Sequence, residues 1–115
     1  MSCCRYSCMQ TADLELLRVK AAANALEYAA HAVARLMQRR ISPAEVREVL
    51  ATAQVIEDYP DDRFGPSCLL LGTTRAARPL HVVCSYPQRP LLKIITVYEP
   101  APTEWEPGFT QRKKP

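Results

Sequence analysis

The chain has 115 residues, of which 48% are hydrophobic and 23% charged, a composition that fits one globular domain and excludes a disordered chain or two domains. The net charge of +3 permits an anionic partner such as RNA without requiring one. The longest apolar runs, such as Cys68-Leu69-Leu70-Leu71, are far shorter than the roughly 20 residues of a membrane helix. The first residues lack the apolar segment of a signal peptide, so we expect a cytoplasmic protein without membrane contact.

The stretch from Thr11 to Arg40 contains no glycine or proline and is rich in alanine and leucine, which predicts helix over most of its length. Apolar residues recur there at three- and four-residue steps, first as Leu14, Leu17, Ala21, Ala25 and Tyr28. A second stripe follows, made of Ala29, Ala32, Val33, Leu36 and Met37. The pattern leaves open whether the helix breaks near Asn24 or continues as one rod.

The side opposite the second stripe is a polar helix face. His31, Arg35, Gln38 and Arg39 fall within an arc of about 100° at helical spacing. The next helix begins with Ser42-Pro43-Ala44-Glu45, in which serine is the N-cap, proline the first helical residue and glutamate the third. The two helices therefore form a helical hairpin.

Four apolar or alternating runs follow and predict strands over residues 54–59, 67–73, 80–86 and 91–99. Because the connections are short, neighbouring strands are expected to pair antiparallel. The predicted fold class is α+β, with N-terminal helices followed by a four-stranded antiparallel β-meander.

The prolines after the last strand predict an extended arm whose aromatic residues, Trp105 and Phe109, dock on the domain. We assign the domain organisation as a partly helical N-terminal extension, one α+β domain and a basic disordered tail, over residues 1–25, 26–109 and 110–115.

Five cysteines, an odd number, are expected to be free thiols in a reducing compartment. Three of them lie in the N-terminal extension without a Cys-x-x-Cys pair or a nearby histidine, so no zinc site is predicted there: Cys3, Cys4 and Cys8. Cys68 and Cys84 lie in apolar strand patterns and are predicted to be core residues. With only three glycines and no phosphate-binding or zinc-protease motif, neither a cofactor nor a metal is expected.

Two groups of residues are candidates for chemistry. His31 lies with Arg35 and Arg39, and a metal-independent ribonuclease needs one group to move the 2′-hydroxyl proton and others to stabilise the charged phosphate. The alternative is a solvated helix face. His81 lies in the third predicted strand, where a single histidine is more often a hydrogen-bonded structural residue than a catalyst. Tyr98, like other tyrosines at strand ends, either stacks on bases or fills the edge of the core.

Several separated segments resemble, in the expected order, a bacterial family catalogued as domain-of-unknown-function family 4258. They are residues 31–42, 46–50, 55–60, 78–83 and 94–100. The resemblance extends from about Tyr28 to Phe109. Arg40 stands where the family usually has glycine, which would alter the turn between the helices, and Pro87 and Pro90 replace a polar hairpin turn.

That family is similar to the RelE/ParE-type toxins, including BrnT and MqsR, and its genes often lie beside one for a small zinc-finger antitoxin. The resemblance implies a toxin-like fold, cleavage of messenger RNA without a metal, and a zinc-finger protein partner. The family pattern covers five residues that we take as catalytic candidates: His31, Arg35, Arg39, His81 and Tyr98. His31 or His81 would move protons, and Tyr98 would orient a base. The alternative function is a non-enzymatic protein-binding module of the same fold.

Overall fold

Three helices and five strands are present in the computed structural model, which describes residues 9–114. The helices are α1 (Thr11–Ala22), α2 (Ala32–Gln38) and α3 (Pro43–Ala51). The strands are β1 (Leu26–Tyr28), β2 (Gln54–Tyr59), β3 (Ser67–Thr73), β4 (Pro79–Ser85) and β5 (Leu92–Tyr98). The fold is therefore of the α+β class, and no helix in this part of the chain is long and apolar enough to cross a membrane.

The strands form one open sheet in the order β1-β5-β4-β3-β2. The four predicted strands are present as β2 to β5 and pair antiparallel with their sequence neighbours. The prediction of a four-stranded sheet is wrong, because β1 adds a fifth strand parallel to β5, with Leu26 opposite Leu92. A three-residue strand gives no alternation that a sequence pattern can reveal.

The first helical stretch is divided into two helices instead of continuing to Arg40. Helix α1 ends at Ala22, and Asn24 takes the left-handed conformation with φ of 56°. Asparagine tolerates this conformation better than other residues with side chains. The chain then enters β1, where the amide of Leu92 donates to the Ala25 carbonyl at 2.9 Å. Part of the second predicted stripe is also exposed, with Met37 at 75% accessibility.

All three helices pack on one face of the sheet, and the hydrophobic core lies between the two layers. Helix α3 approaches β3 closely at Gly72, where an added Cβ would lie 2.3 Å from the Val49 carbonyl oxygen. Cys68 and Cys84 are buried in this core as directly opposed strand residues, with their Sγ atoms 4.0 Å apart and both thiols free. The other three cysteines, considered above for zinc, lie outside the described residues.

The link between α2 and α3 has the predicted capping box. The Glu45 amide donates to Ser42 Oγ at 3.1 Å and the Ser42 amide donates to Glu45 Oε1 at 2.9 Å. Before it, Arg40 takes a left-handed φ of 58°, a conformation that glycine adopts more readily than a residue with a side chain. The Arg78 guanidinium fixes the turn by donating to the Arg40 carbonyl at 2.9 Å.

The sheet face away from the helices is covered in part by residues 100–114, here called the C-terminal arm. Trp105 is 2% exposed, so the predicted docking of this aromatic residue is confirmed. The expectation of a disordered tail from residue 110 differs from the structure, in which the arm closes a small hairpin. Trp105 pairs with Arg112, and the Lys113 amide donates to the Glu104 carbonyl at 2.9 Å. Pro115 lies outside the described residues.

Candidate catalytic site on the open face of the sheet

His81 lies at the centre of the open sheet face and is completely enclosed, with 0% of its surface exposed. Strand alternation turns it away from the core side chains of Leu80 and Val82. Its Nε2 donates to the Phe109 carbonyl at 2.8 Å, because a carbonyl can only accept. The Trp105 ring packs edge-on against the imidazole, with 4.4 Å between ring centroids. His81 is thus held between β4 and the C-terminal arm.

Tyr98 is the partner of His81 in the neighbouring strand β5. Its hydroxyl lies 3.2 Å from His81 Nδ1, and the two rings meet edge to face with their centroids 5.2 Å apart. Burial lowers the pKa of His81, so the imidazole is neutral near pH 7, and burial raises the pKa of Tyr98. With Nε2 carrying the proton, Nδ1 accepts from the Tyr98 hydroxyl. Two of the residues selected from the sequence are therefore in direct contact.

A second polar group, made of Glu57, Tyr59 and Arg112, lies on the same face. Arg112 donates to both carboxylate oxygens of Glu57, with Nε–Oε2 at 2.8 Å and Nη2–Oε1 at 3.1 Å. The Tyr59 hydroxyl also donates to Oε1 of Glu57. The hydrogen bonds from Arg112 lower the pKa of Glu57, so the carboxylate is ionised. Burial, reinforced by Glu57, raises the pKa of Tyr59 to about 12, so the phenol keeps its proton.

The two groups form one electrostatic unit. Both Glu57 and Arg112 influence the pKa of His81, the carboxylate raising it and the guanidinium lowering it. Arg112 also lies over the Trp105 ring, 4.7 Å from its centroid. Sequence reasoning missed Glu57 and Arg112 as site residues. The sequence feature that could have identified Glu57 is its position two residues before Tyr59 in β2, because that spacing puts both side chains on one face of the strand.

Arg39 reaches this face around the edge of the sheet. Because β1 ends at Tyr28, its ladder with β5 stops at Ile94, and Arg39 Nη1 donates to the carbonyl of Val97 at 2.7 Å. The same atom lies 3.2 Å from Oγ1 of Thr96, and the charge of Arg39 offsets a small part of the rise that burial causes in the pKa of Tyr98. Arg39 is thus the one member of the predicted helix face that joins the His81 group.

His31 and Arg35 remain on the solvent side of α2. His31 is the N-cap residue of that helix, where its side chain makes no capping hydrogen bond, and both residues are exposed. Among residues 9–114, neither side chain has a hydrogen bond or an ion pair with another residue. The structure therefore divides the five candidates: His81, Tyr98 and Arg39 approach one another, and the other two do not join them.

The site contains the types of group that general acid–base chemistry on a phosphate requires. There is a neutral imidazole, an ionised carboxylate, two protonated phenols and two guanidinium groups. No cluster of three or more histidine, cysteine or acidic side chains that could hold a metal ion occurs in the described part of the chain. His81 Nε2 is hydrogen-bonded to the Phe109 carbonyl, so a substrate could reach this nitrogen only after that part of the arm has moved.

This is an α+β domain with one helix-covered sheet face and a polar group enclosed on the other. Residues 28–99 match the family described as Domain of unknown function (DUF4258), more than half of the chain, and the chain belongs to that family. No curated protein and no solved structure matches it. The predicted family is thereby confirmed, although the match ends at Glu99 and not near Phe109. Glu57, His81 and Tyr98 lie inside the matched range, and the C-terminal arm lies beyond it.

Proposed function

We propose that this protein is the toxin of a type II toxin–antitoxin pair, related to RelE/ParE-type toxins, and that it cleaves messenger RNA without a metal ion. The observation that carries the proposal is a neutral, enclosed His81 beside the ionised Glu57 and the Arg112 guanidinium on one sheet face. These groups match the needs of RNA cleavage by the neighbouring 2′-hydroxyl, in which a proton moves and a phosphate gains charge.

In the proposed reaction His81 is the general base and Tyr98 is its positioning residue. A tyrosine hydroxyl can both donate and accept a hydrogen bond. When the Phe109 carbonyl moves away while Arg112 stays bound to Glu57, the Tyr98 oxygen accepts from Nδ1–H of His81, which leaves the lone pair of Nε2 for the substrate. The 2′-hydroxyl proton passes to Nε2 as the 2′-oxygen forms a bond to phosphorus and the bond from phosphorus to the 5′-oxygen breaks. The products are a 2′,3′-cyclic phosphate and a 5′-hydroxyl.

The remaining groups supply a proton and positive charge. Tyr59, whose pKa is raised to about 12, holds a proton that the leaving 5′-oxygen can take. Arg112 and Arg39 are the cations nearest to the histidine and the tyrosine in this group, and a guanidinium stabilises the extra charge on the phosphate. The proton gained by His81 returns to Tyr59 through water, which restores both groups.

The test is cleavage of a defined messenger RNA by purified protein, alone and with translating ribosomes, in the presence of a metal chelator. We expect fragments that end in a 2′,3′-cyclic phosphate, and loss of cleavage in His81→Gln. The matched variant His31→Gln, which changes the exposed histidine, should cleave normally. The proposal fails if RNA stays intact under all of these conditions and induction of the protein leaves bacterial growth unaffected.

A second function, a non-enzymatic protein-binding module, is favoured by a different surface. Val33 and Met37 are 52% and 75% exposed on α2, and Ile95 is 38% exposed on the adjacent β5. A small zinc-finger antitoxin is the partner we propose for this apolar surface. The discriminating experiment is co-purification with the product of the adjacent gene. Val33→Glu with Met37→Glu should abolish binding under this second function, while His81→Gln should retain both binding and the effect on growth.

A further inference from the structure

A groove of about 990 Å³ lies away from the His81 group, between α3 and the end of β3. It is bounded by Arg18 of α1, Arg47 of α3 and Arg75 in the turn after β3. Its shape follows from the close approach of α3 to Gly72 and from the amide of Thr73, which donates to Thr52 Oγ1 at 3.3 Å. The groove is therefore part of the fixed packing of the helix on the sheet.

The lining of this groove carries a net positive charge, because it contains three arginines and one acidic residue. Three other arginines of the described chain pair with carboxylates, among them Arg78 with Glu45 at 3.4 Å. The three groove arginines make no such ion pair among residues 9–114. Glu48, the one acidic residue in the lining, accepts instead from the backbone amide of Arg75 at 3.0 Å. Three guanidinium groups are thus left to attract an anion.

The lining indicates what kind of anion fits. Small-molecule pockets are mostly apolar and aromatic, with a few convergent polar groups. This groove contains no aromatic side chain, and its arginines come from three separate elements. Side chains spread in this way suit an extended chain of phosphates, and because the lining has no aromatic ring on which bases could stack, the contacts would be with the phosphates and not with the bases. Leu71, which lines the groove, is the strand partner of His81, so the groove borders the strand beside the candidate catalytic one.

We infer that this groove binds the phosphate backbone of single-stranded RNA, independently of its sequence. The choice of RNA as the polyanion rests on the proposed function, whereas the anionic class rests on the arginines themselves. The groove would hold the RNA by electrostatic contact while the chemistry takes place at the other site. Each phosphate contact in single-stranded nucleic acid adds about 0.7 to the negative slope of log affinity against log salt concentration.

The experiment measures binding of a fluorescent, 2′-O-methylated polyuridine strand to the full chain by anisotropy over a range of salt concentrations. The 2′-O-methyl group prevents cleavage, so binding is observed by itself. Arg47→Gln with Arg75→Gln should weaken binding and reduce the salt slope by about 1.4, since two contacts are lost. Arg40→Gln with Arg63→Gln removes the same charge from exposed positions outside the groove and should leave the slope unchanged.

The outcomes separate this inference from the proposed function. If the groove variant and the control variant bind alike, or if the unaltered protein binds no RNA, the inference is overturned. If RNA binds through the groove but is never cleaved, the inference stands and the proposed function fails. Thermal unfolding of both variants shows whether they remain folded. Since Arg18 also donates to the Ala53 carbonyl at 2.8 Å, it is left unchanged in the test.

Discussion

The Nε2 of His81 donates a 2.8 Å hydrogen bond to the carbonyl of Phe109, a residue of the C-terminal arm. One contact thus joins the most enclosed polar side chain of the sheet to a segment outside the family range of residues 28–99. The arm completes the environment of the histidine and also blocks it. Its position therefore decides both the protonation of His81 and the access of any substrate.

The enclosure of His81 predicts a dependence of stability on pH. Its pKa is lowered in the folded state, so the unfolded chain binds a proton first as the pH falls. The contribution of His81 to the free energy of unfolding is complete above about pH 6.5, the pKa of an unperturbed histidine. This contribution decreases as the pH falls from about 6.5 through the pKa of His81 in the folded protein, which is lower.

Chemical denaturation at a series of pH values between about 8 and about 5 measures this effect. The unaltered protein should lose stability over the lower part of this range, and His81→Gln should lose less. His31→Gln, which changes an exposed histidine, is the control and should behave as the unaltered protein does. Identical curves for the His81→Gln variant and the unaltered protein would contradict the assignment of the effect to His81.

The contact between the arm and the sheet predicts that Arg112→Ala loosens the arm. This change removes both hydrogen bonds to Glu57 and the guanidinium over the ring of Trp105. Because Arg112 is largely exposed, the cost should be only about 1 kcal/mol. Trp105 is the single tryptophan of the chain, so its fluorescence reports on the arm directly. Quenching by acrylamide should increase in Arg112→Ala and stay unchanged in Lys114→Ala; equal quenching in both would refute the prediction.

We expect substitutions of Arg39 and Arg35, two arginines of the same predicted helix face, to have different effects on stability, because only Arg39 contacts the edge of β5. Arg39 donates to the Val97 carbonyl at 2.7 Å, whereas Arg35 is exposed and makes no such contact. Arg39→Ala should therefore lower the free energy of unfolding by about 1 kcal/mol through the lost hydrogen bond. Arg35→Ala should change it by less than about 0.5 kcal/mol. Urea denaturation compares the two, and a larger loss for Arg35→Ala would show that the edge contact is unimportant.

The turn between α2 and α3 predicts a stabilising substitution. Arg40 has a φ of 58°, in the left-handed region that is unfavourable for residues with a Cβ atom. Arg40→Gly removes this strain and leaves the carbonyl that accepts from Arg78 in place. We expect the free energy of unfolding to rise by about 1 kcal/mol. Asn24→Gly, at φ 56°, should gain less because asparagine tolerates the conformation. A loss of stability in Arg40→Gly would refute this interpretation of the turn.

Much of the fold follows from local patterns, and the candidate site follows from them only in part. The capping box at Ser42 and the extents of β2 and β3 agree with the structure residue for residue. Strand alternation also placed His81 correctly on the face opposite Val82. The helical spacing, however, made His31 and Arg39 equal candidates for the site, although only Arg39 reaches the sheet.

The sequence by itself determined the family, the α+β class and the helical and strand segments whose signals lie within a few neighbouring residues. Tertiary structure decided which side chains meet. The pairing of Leu26 with Leu92 and the contact of His81 with Phe109 join residues far apart in the chain. Such contacts form because the sheet must complete its backbone hydrogen bonds and bury its open face, and no local pattern encodes that requirement. The enclosure of His81 by the arm is therefore a property of the folded molecule alone.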